Sequence, residues 1–272
     1  MQDAEPAITL TTAQEDLAVI RQAALEAGAL ALSYFRKDPK VWSKANDSPV
    51  TEADMAVDAL LAERLRGARP DYGWLSEEAA DDRSRFSSDR VFIVDPIDGT
   101  RGFIAGDKNW TVCIAVVEAG RPIAAAVYCP ARDDMYLAVA GGGATLNDAE
   151  ARVSARTDLE GAEIAGPRMI TRHEAFRDAG VAPGIVVPSL ALRIALVAAG
   201  RCDAAIARAN AHDWDLAAAD LLVHEAGGRL TALDGEPLVY NQPSIRHPAL
   251  IAAPAALQKG LGALVHRAVE AA

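Results

Sequence analysis

Long apolar runs, paired cysteines and clustered basic residues are all missing from this chain of 272 residues. No uninterrupted apolar stretch approaches the roughly 20 residues that a membrane span needs, so no membrane partner is expected. Met1-Gln2-Asp3-Ala4-Glu5 has neither the basic flank nor the apolar core of a secretory signal, and the expected location is cytoplasmic. The three cysteines, Cys113, Cys129 and Cys202, are odd in number and sit in apolar surroundings without metal-ligand spacing. Reduced core thiols are expected, with neither a disulfide framework nor a zinc site. Lys and Arg total 27 against 38 acidic residues, and the net charge of −11 argues against a broad nucleic-acid-binding face. An anionic substrate would have to be attracted locally. No G-x-S-x-G signature is present, the five histidines form no zinc motif, and there is no internal repeat or low-complexity tract.

What is present is a globular composition, 51% hydrophobic and 24% charged, in a chain long enough for one large domain or two small ones with full cores. Thr12-Ala13-Gln14-Glu15 has capping-box spacing, and Leu17, Ile20, Ala24, Ala27, Ala31 and Tyr34 recur at helical period to about Arg36. After the turn-rich Asn46-Asp47-Ser48-Pro49, a second helix is predicted from Thr51 as cap, with Asp54 three residues on, to about Gly67. A strand through Trp74 and Leu75 leads to Glu77-Glu78, and Val91–Val94 reads as a strand buried on both faces. Trp110–Val117 and Ile123–Tyr128 read as a hairpin joined by 118–122, with a further strand at Met135–Val139. Gly141-Gly142-Gly143 lacks a downstream Gly-Lys-Ser/Thr and reads as a glycine turn.

Beyond residue 148 short strands alternate with helices. Ile185–Val187, Ala204–Ala207 and Leu250–Ala253 are the predicted strands, with helices from about Ser189 to Ala199, from Asp215 to Ala226, and at the C-terminal end. The division expected is an α+β half over 1–148 with an antiparallel sheet, and an α/β half over 149–272.

Chemistry concentrates in Asp95-Pro96-Ile97-Asp98-Gly99-Thr100, directly after the Val91–Val94 run. Pro96 cannot donate to a ladder, so the strand should stop at Asp95, and Pro-x-Asp-Gly should turn Asp98 back towards it. Two carboxylates that close repel unless a cation lies between them. Mg²⁺, which takes carboxylate and carbonyl oxygens such as that of Ile97, is the simplest remedy. Gly99 and Thr100 would then offer backbone N–H groups to an anion.

Four motifs in order carry a resemblance to the inositol monophosphatase family of metal-dependent phosphomonoesterases. They are Val50-Thr51-Glu52-Ala53-Asp54, Glu77-Glu78, Asp95 to Thr100, and Trp214-Asp215 with a small-residue helix ending Glu225-Ala226-Gly227-Gly228. The resemblance implies a layered αβαβα sandwich and two or three Mg²⁺ ions held by Glu77, Asp95, Asp98, Asp215 and the Ile97 carbonyl. It implies that one ion, with Glu77 and a Thr100 hydroxyl oriented by Asp54, positions and deprotonates the attacking water. A second ion would hold the phosphate and stabilise the departing oxygen, while the Gly99 and Thr100 N–H groups bind phosphate oxygens. Lithium inhibition is also implied, and dimers are common among similar proteins, so a homodimer is open. Phosphoryl transfer asks mainly for alignment and charge neutralisation, which metals and oriented amides supply without a histidine base.

The resemblance implies a small phosphorylated substrate, and which one turns on two arginines. Members acting on inositol phosphates usually carry a Glu six residues before the Trp of Trp-Asp, to bind ring hydroxyls; here that place is Arg208. A guanidinium cannot accept from a polyol but can clamp a second phosphate. Arg101, directly after Thr100, and the strand end Val127-Tyr128-Cys129-Pro130 look more like the 3′(2′),5′-bisphosphate nucleotidase branch. Hydrolysis of adenosine 3′,5′-bisphosphate to AMP and phosphate is favoured, with inositol-1-phosphate or broader sugar-phosphate hydrolysis as the alternative. A non-catalytic binding protein on the same fold is more remote, because no ligand position has been lost. A zinc- or nucleophile-dependent hydrolase is opposed by the all-oxygen set.

Overall fold

A computed structural model describes residues 10–44 and 48–270. The opening residues Met1 to Glu5, and Asn46-Asp47 of the expected turn, lie outside the described residues. The chain begins with α1 (Leu10–Tyr34), a short hairpin of β1 (Val41–Ser43) and β2 (Pro49–Thr51), and α2 (Glu52–Ala68). Helix is already present at Leu10, so Thr12 is not a cap; Thr-Ala-Gln-Glu is as compatible with a helix interior as with a first turn. Thr51 does cap α2, in a reciprocal box with Asp54.

A seven-stranded sheet follows, in spatial order β3 (Gly73–Ser76), β4 (Arg90–Asp98), β5 (Thr111–Glu118), β6 (Arg121–Cys129), β7 (Asp134–Val139), β8 (Gly143–Leu146) and β9 (Ala149–Ala151). β3 runs parallel to β4 and the remaining neighbours are antiparallel. A short helix, α3 (Thr100–Ile104), leaves the end of β4. β4 does not stop at Asp95 but runs to Asp98, because the register shifts between those residues and Pro96 falls in the irregularity, where no ladder donor is required. The β5–β6 hairpin turns at Ala119-Gly120 alone, both at positive φ, so Arg121 and Pro122 join the strand.

The rest of the chain builds a five-stranded sheet in the order β11 (Ala182–Pro183), β10 (Glu163–Ala165), β12 (Ala204–Ala207), β14 (Leu250–Pro254), β13 (Gly228–Ala232). Its helices are α4 (Arg168–Thr171), α5 (Glu174–Asp178), α6 (Leu190–Ala198), α7 (Asp213–Glu225) and α8 (Ala255–Glu270). Ile185–Val187 is not a strand: the edge strand lies at Ala182–Pro183, and Ile185 and Val186 are exposed. β-branched composition alone does not specify pairing when the sheet edge is already taken.

Alternation along the strands decides the layers. In the first sheet Phe92, Val94, Ile114, Val116, Ala124 and Ala126 face α1 and α2, burying Ile20, Ala27, Leu61 and Leu65. Their neighbours Val91, Ile93, Cys113, Ala115, Ala125 and Val127 face α6 and α7 on the other side. In the second sheet Ala205, Ala207, Leu230 and Ala252 reach the same α6–α7 layer, while Ile164, Ile206 and Ile251 face α5 and α8. The result is an αβαβα sandwich with α6 and α7 as its central layer.

Candidate metal and phosphate site

The site forms where the end of β4 meets the first turns of α6 and α7. Asp95 Oδ1 accepts the Ile97 N–H at 3.0 Å, and this local turn folds Asp98 back towards Asp95. Gly99 follows at φ 92°, and a Cβ there would lie 3.1 Å from the Ser189 backbone nitrogen. Glycine is therefore required twice over, by its left-handed backbone and by the close approach of the α6 N-terminus. Ser189 caps α6, its Oγ accepting from Leu192 N at 2.9 Å. Asp98 Oδ2 accepts from Ser189 Oγ at 2.6 Å and from Ala191 N at 2.7 Å, joining the two sheets' elements at the site itself.

Asp215 arrives from α7, but not as its cap. The helix begins two residues earlier, with His212 at the N-cap, and Asp215 is the third helical residue, accepting the His212 N–H at 2.7 Å. One oxygen each of Asp95, Asp98 and Asp215 lie within 4.8 Å of one another. Asp54 accepts from Thr51 N at 2.8 Å and Thr51 Oγ1 at 2.6 Å, and its other oxygen is 3.4 Å from Thr100 Oγ1. The same hydroxyl lies 3.0 Å from the Ile97 carbonyl.

Glu77 faces the same cavity but is not part of the tight carboxylate group; Lys44 holds it, with Nζ 2.9 Å from Glu77 and 2.7 Å from Glu78. Glu78 is not the surface neighbour its loop position suggests, since only 4% of its side chain is exposed.

Burial and mutual repulsion dominate the electrostatics. Asp95 is pushed well above the usual carboxylate range by burial, then by Glu77, Asp98 and Asp215. Asp98 is raised to about 7 by burial and by Asp215, against the opposing hydrogen bonds from Ser189 and the Ala191 amide. Burial also raises Glu77, Asp54 and Glu78, the last to about 7 even with Lys44 beside it. Asp95, Asp98 and Asp215, which pair with no Lys or Arg among the described residues, form a donor set suited to a hard divalent cation and, lacking nitrogen and sulfur, poorly suited to zinc.

A cavity of about 350 Å³ is lined by Glu77, Asp95, Asp98, Thr100, the exposed Arg101 and Asp215. A second, of about 410 Å³, shares Asp215 and is lined by Arg193 and the exposed Arg208. Arg193 escaped the sequence reading. Its guanidinium donates to the Val187 carbonyl at 3.0 Å and the Ile206 carbonyl at 3.3 Å, and forms no ion pair among the described residues. Burial lowers its pKa, while Asp98 opposes that shift. Ser189 was legible only as the approximate start of a helix, and nothing in the sequence marked Lys44.

The glycine turn at 141–143 does hold an anion, though one of the chain's own. Glu225 at the end of α7 accepts Gly141 N–H at 2.9 Å and Gly143 N–H at 2.8 Å.

A model of the inositol monophosphatase family matches residues 12–270. The chain belongs to that family. It is 36% identical over 233 residues to an inositol-1-monophosphatase of Rhizobium meliloti, covering 80% of this chain and 86% of that one. It is 34% identical over 246 residues to a histidinol-phosphatase of Chlorobaculum parvum, with 82% and 91% covered. The fold matches a Thermotoga maritima IMPase at a TM-score of 0.84 and 26% identity, over 95% of this chain and 98% of that one. This family member is thus a phosphomonoesterase, and its αβαβα architecture is that of its structural neighbours.

Proposed function

We propose that the protein is a Mg²⁺-dependent phosphatase of a small substrate bearing a second anionic group, the 3′(2′),5′-bisphosphate nucleotides being the class that fits. Adenosine 3′,5′-bisphosphate would yield AMP and phosphate. The observation that carries this reading is the pair of cavities meeting at Asp215, one lined by carboxylates and the other by Arg193 and Arg208.

In this reading Glu77, Asp95, Asp98, Asp215 and the Ile97 carbonyl hold two or three Mg²⁺ ions. Bound there, the ions supply positive charge to the phosphoryl group and acidify water. The N–H groups of Gly99 and Thr100 orient the scissile phosphate. Thr100 Oγ1, placed between Asp54 and the Ile97 carbonyl, orients the attacking water together with Glu77, which takes its proton. Arg101 stands at the rim. Arg193 and Arg208 clamp the second phosphate, to which guanidinium offers paired donors. Most ligands come from residues 1–148 and Asp215 from 149–272, so metal binding also ties the halves of the chain together.

The second reading, hydrolysis of inositol 1-phosphate, is favoured by the similarity to the Rhizobium meliloti enzyme. Phosphate release with Mg²⁺, compared as kcat/KM for adenosine 3′,5′-bisphosphate and inositol 1-phosphate, separates the two. We expect the nucleotide to win, and Arg208→Ala to cost it about 10- to 100-fold, the value of a charge-assisted hydrogen bond, with little effect on the inositol ester. Preference for inositol 1-phosphate in the wild type would overturn the nucleotidase reading.

A further inference from the structure

Asp213 stands two residues before Asp215 and is wholly buried. Both of its oxygens are occupied by one surface segment, residues 241–247. Oδ2 accepts the Asn241 N–H at 2.8 Å and Oδ1 meets His247 Nε2 at 2.7 Å. The segment is also pinned to the chain entering α7: His247 N donates to Ala211 O at 2.8 Å, Asn210 N to His247 O at 2.8 Å and Asp213 N to Ile245 O at 3.0 Å. Just before it, Tyr240 Oη donates to Asp220, two turns further along α7, at 3.0 Å.

The far side of the same segment grips the elements that deliver Glu77. Arg85 is wholly buried in the 3₁₀ turn Ser84–Ser87, and its guanidinium donates to Asn241 Oδ1 and, at 3.1 Å, to the Gln242 carbonyl. The Arg85 backbone sits so close to β3 that a Cβ on Gly73 would lie 2.9 Å from Arg85 Cα. β3 ends at Ser76, next to Glu77. A polar chain therefore runs from Arg85, which packs against the start of β3, through Asn241 and Asp213 to the first turn of α7.

We infer that Asp213, His247, Asn241 and Arg85 are positioning residues that set the placement of Asp215 relative to Glu77. An apolar residue in place of Asp213 would also fill space, but it would leave the helix start free to slide. A buried carboxylate with a fixed donor on each oxygen specifies both rotation and axial position, and cannot move without stranding a buried charge. Metal-binding carboxylates need placement to within about 0.5 Å, which supporting hydrogen bonds supply. The inference rests on the metal-dependent reading above.

Calorimetric titration of metal-free protein with Mg²⁺, alongside steady-state phosphate release and thermal melting, tests it. The variants are Asn241→Gly, His247→Ala, His247→Gln and, as a control in the remote α8 core, Leu261→Ala. Asn241 adopts φ 57°, so glycine keeps the backbone and its donor to Asp213 while removing only the Arg85 acceptor. Asn241→Gly and His247→Ala should weaken Mg²⁺ binding about 10-fold, the effect usual for groups that orient metal ligands, and lower kcat with KM unchanged. His247→Gln, whose amide can still donate to Asp213, should recover most of that loss. Leu261→Ala should lower Tm and leave Mg²⁺ affinity alone. Wild-type affinity in both Asn241→Gly and His247→Ala overturns the inference, as does an equal loss in Leu261→Ala. If His247→Ala does not fold, Asn241→Gly decides, and wild-type affinity there overturns the inference. A wild-type protein that takes up no Mg²⁺ strikes the metal-dependent reading itself, and this inference with it.

Discussion

Asp98 turns one oxygen to the start of α6 while the residue after it bends the chain through a left-handed conformation beside Ser189. The two residues are coupled: the close approach that gives Asp98 its partners is what excludes a side chain at position 99. Gly99→Ala adds both a left-handed backbone penalty, about 1–2 kcal/mol, and a contact with the Ser189 backbone that only movement of α6 can relieve. Loss of stability by about 2–4 kcal/mol in urea unfolding is expected, with a larger loss of phosphatase activity than the melting temperature alone would suggest. Unchanged activity in that variant would show that Asp98 tolerates displacement of its α6 partners.

Helix α7 is the element on which the site turns, and it is held at both ends by side chains of its own. Asp213 secures the first turn, and Glu225 inserts its carboxylate between the Gly141 and Gly143 amides of the β7–β8 turn. A carboxylate accepting two backbone donors is worth about 1–3 kcal/mol when partly buried. Glu225→Ala should lower unfolding free energy by that amount in a denaturant titration. Because the first turn keeps its own clamp, KM should hold. Along the central layer, Leu216, Ala219, Leu222 and Val223 are wholly buried, so small and apolar positions on several faces, rather than one amphipathic stripe, are what let α7 lie between two sheets.

For the molecule as a whole, the carboxylates gathered at the sheet junction make stability depend on pH. Asp98 and Glu78 are raised to about 7, and Asp95 and Glu77 are raised as well, from unfolded values near 4. The folded state therefore binds more protons than the unfolded state between about pH 4 and pH 7. Stability contributed by these groups is full below the unfolded values and is lost as pH rises through the folded ones. Metal-free protein should melt at a lower temperature at pH 8 than at pH 5.5, and millimolar Mg²⁺ should restore most of the difference at pH 8, since only the folded state gathers the ligands. A melting temperature indifferent to both pH and Mg²⁺ would mean the cluster carries no uncompensated charge.

Features that depend on near neighbours in the chain were legible in the amino-acid order: the Thr51–Asp54 box, the apolar β4 run, the turn that folds Asp98 onto Asp95, and the small-residue helix behind Asp215. Each rests on backbone chemistry within a few residues, and side-chain period or turn type is enough to specify it. Features that depend on distant neighbours were not. Lys44 closes on Glu77 and Glu78 from more than 30 residues away, Arg193 meets Arg208 only because α6 and β12 pack side by side, and Pro96 is tolerated in β4 only because a bulge against β5 makes room. Tertiary structure also decided that Ile185–Val187 would not be a strand and that Glu78 would be buried, outcomes set by which sheet edge and which cavity were nearby. Composition and pattern specify what a segment can become; burial and pairing partners, contributed from elsewhere in the chain, decide among those options.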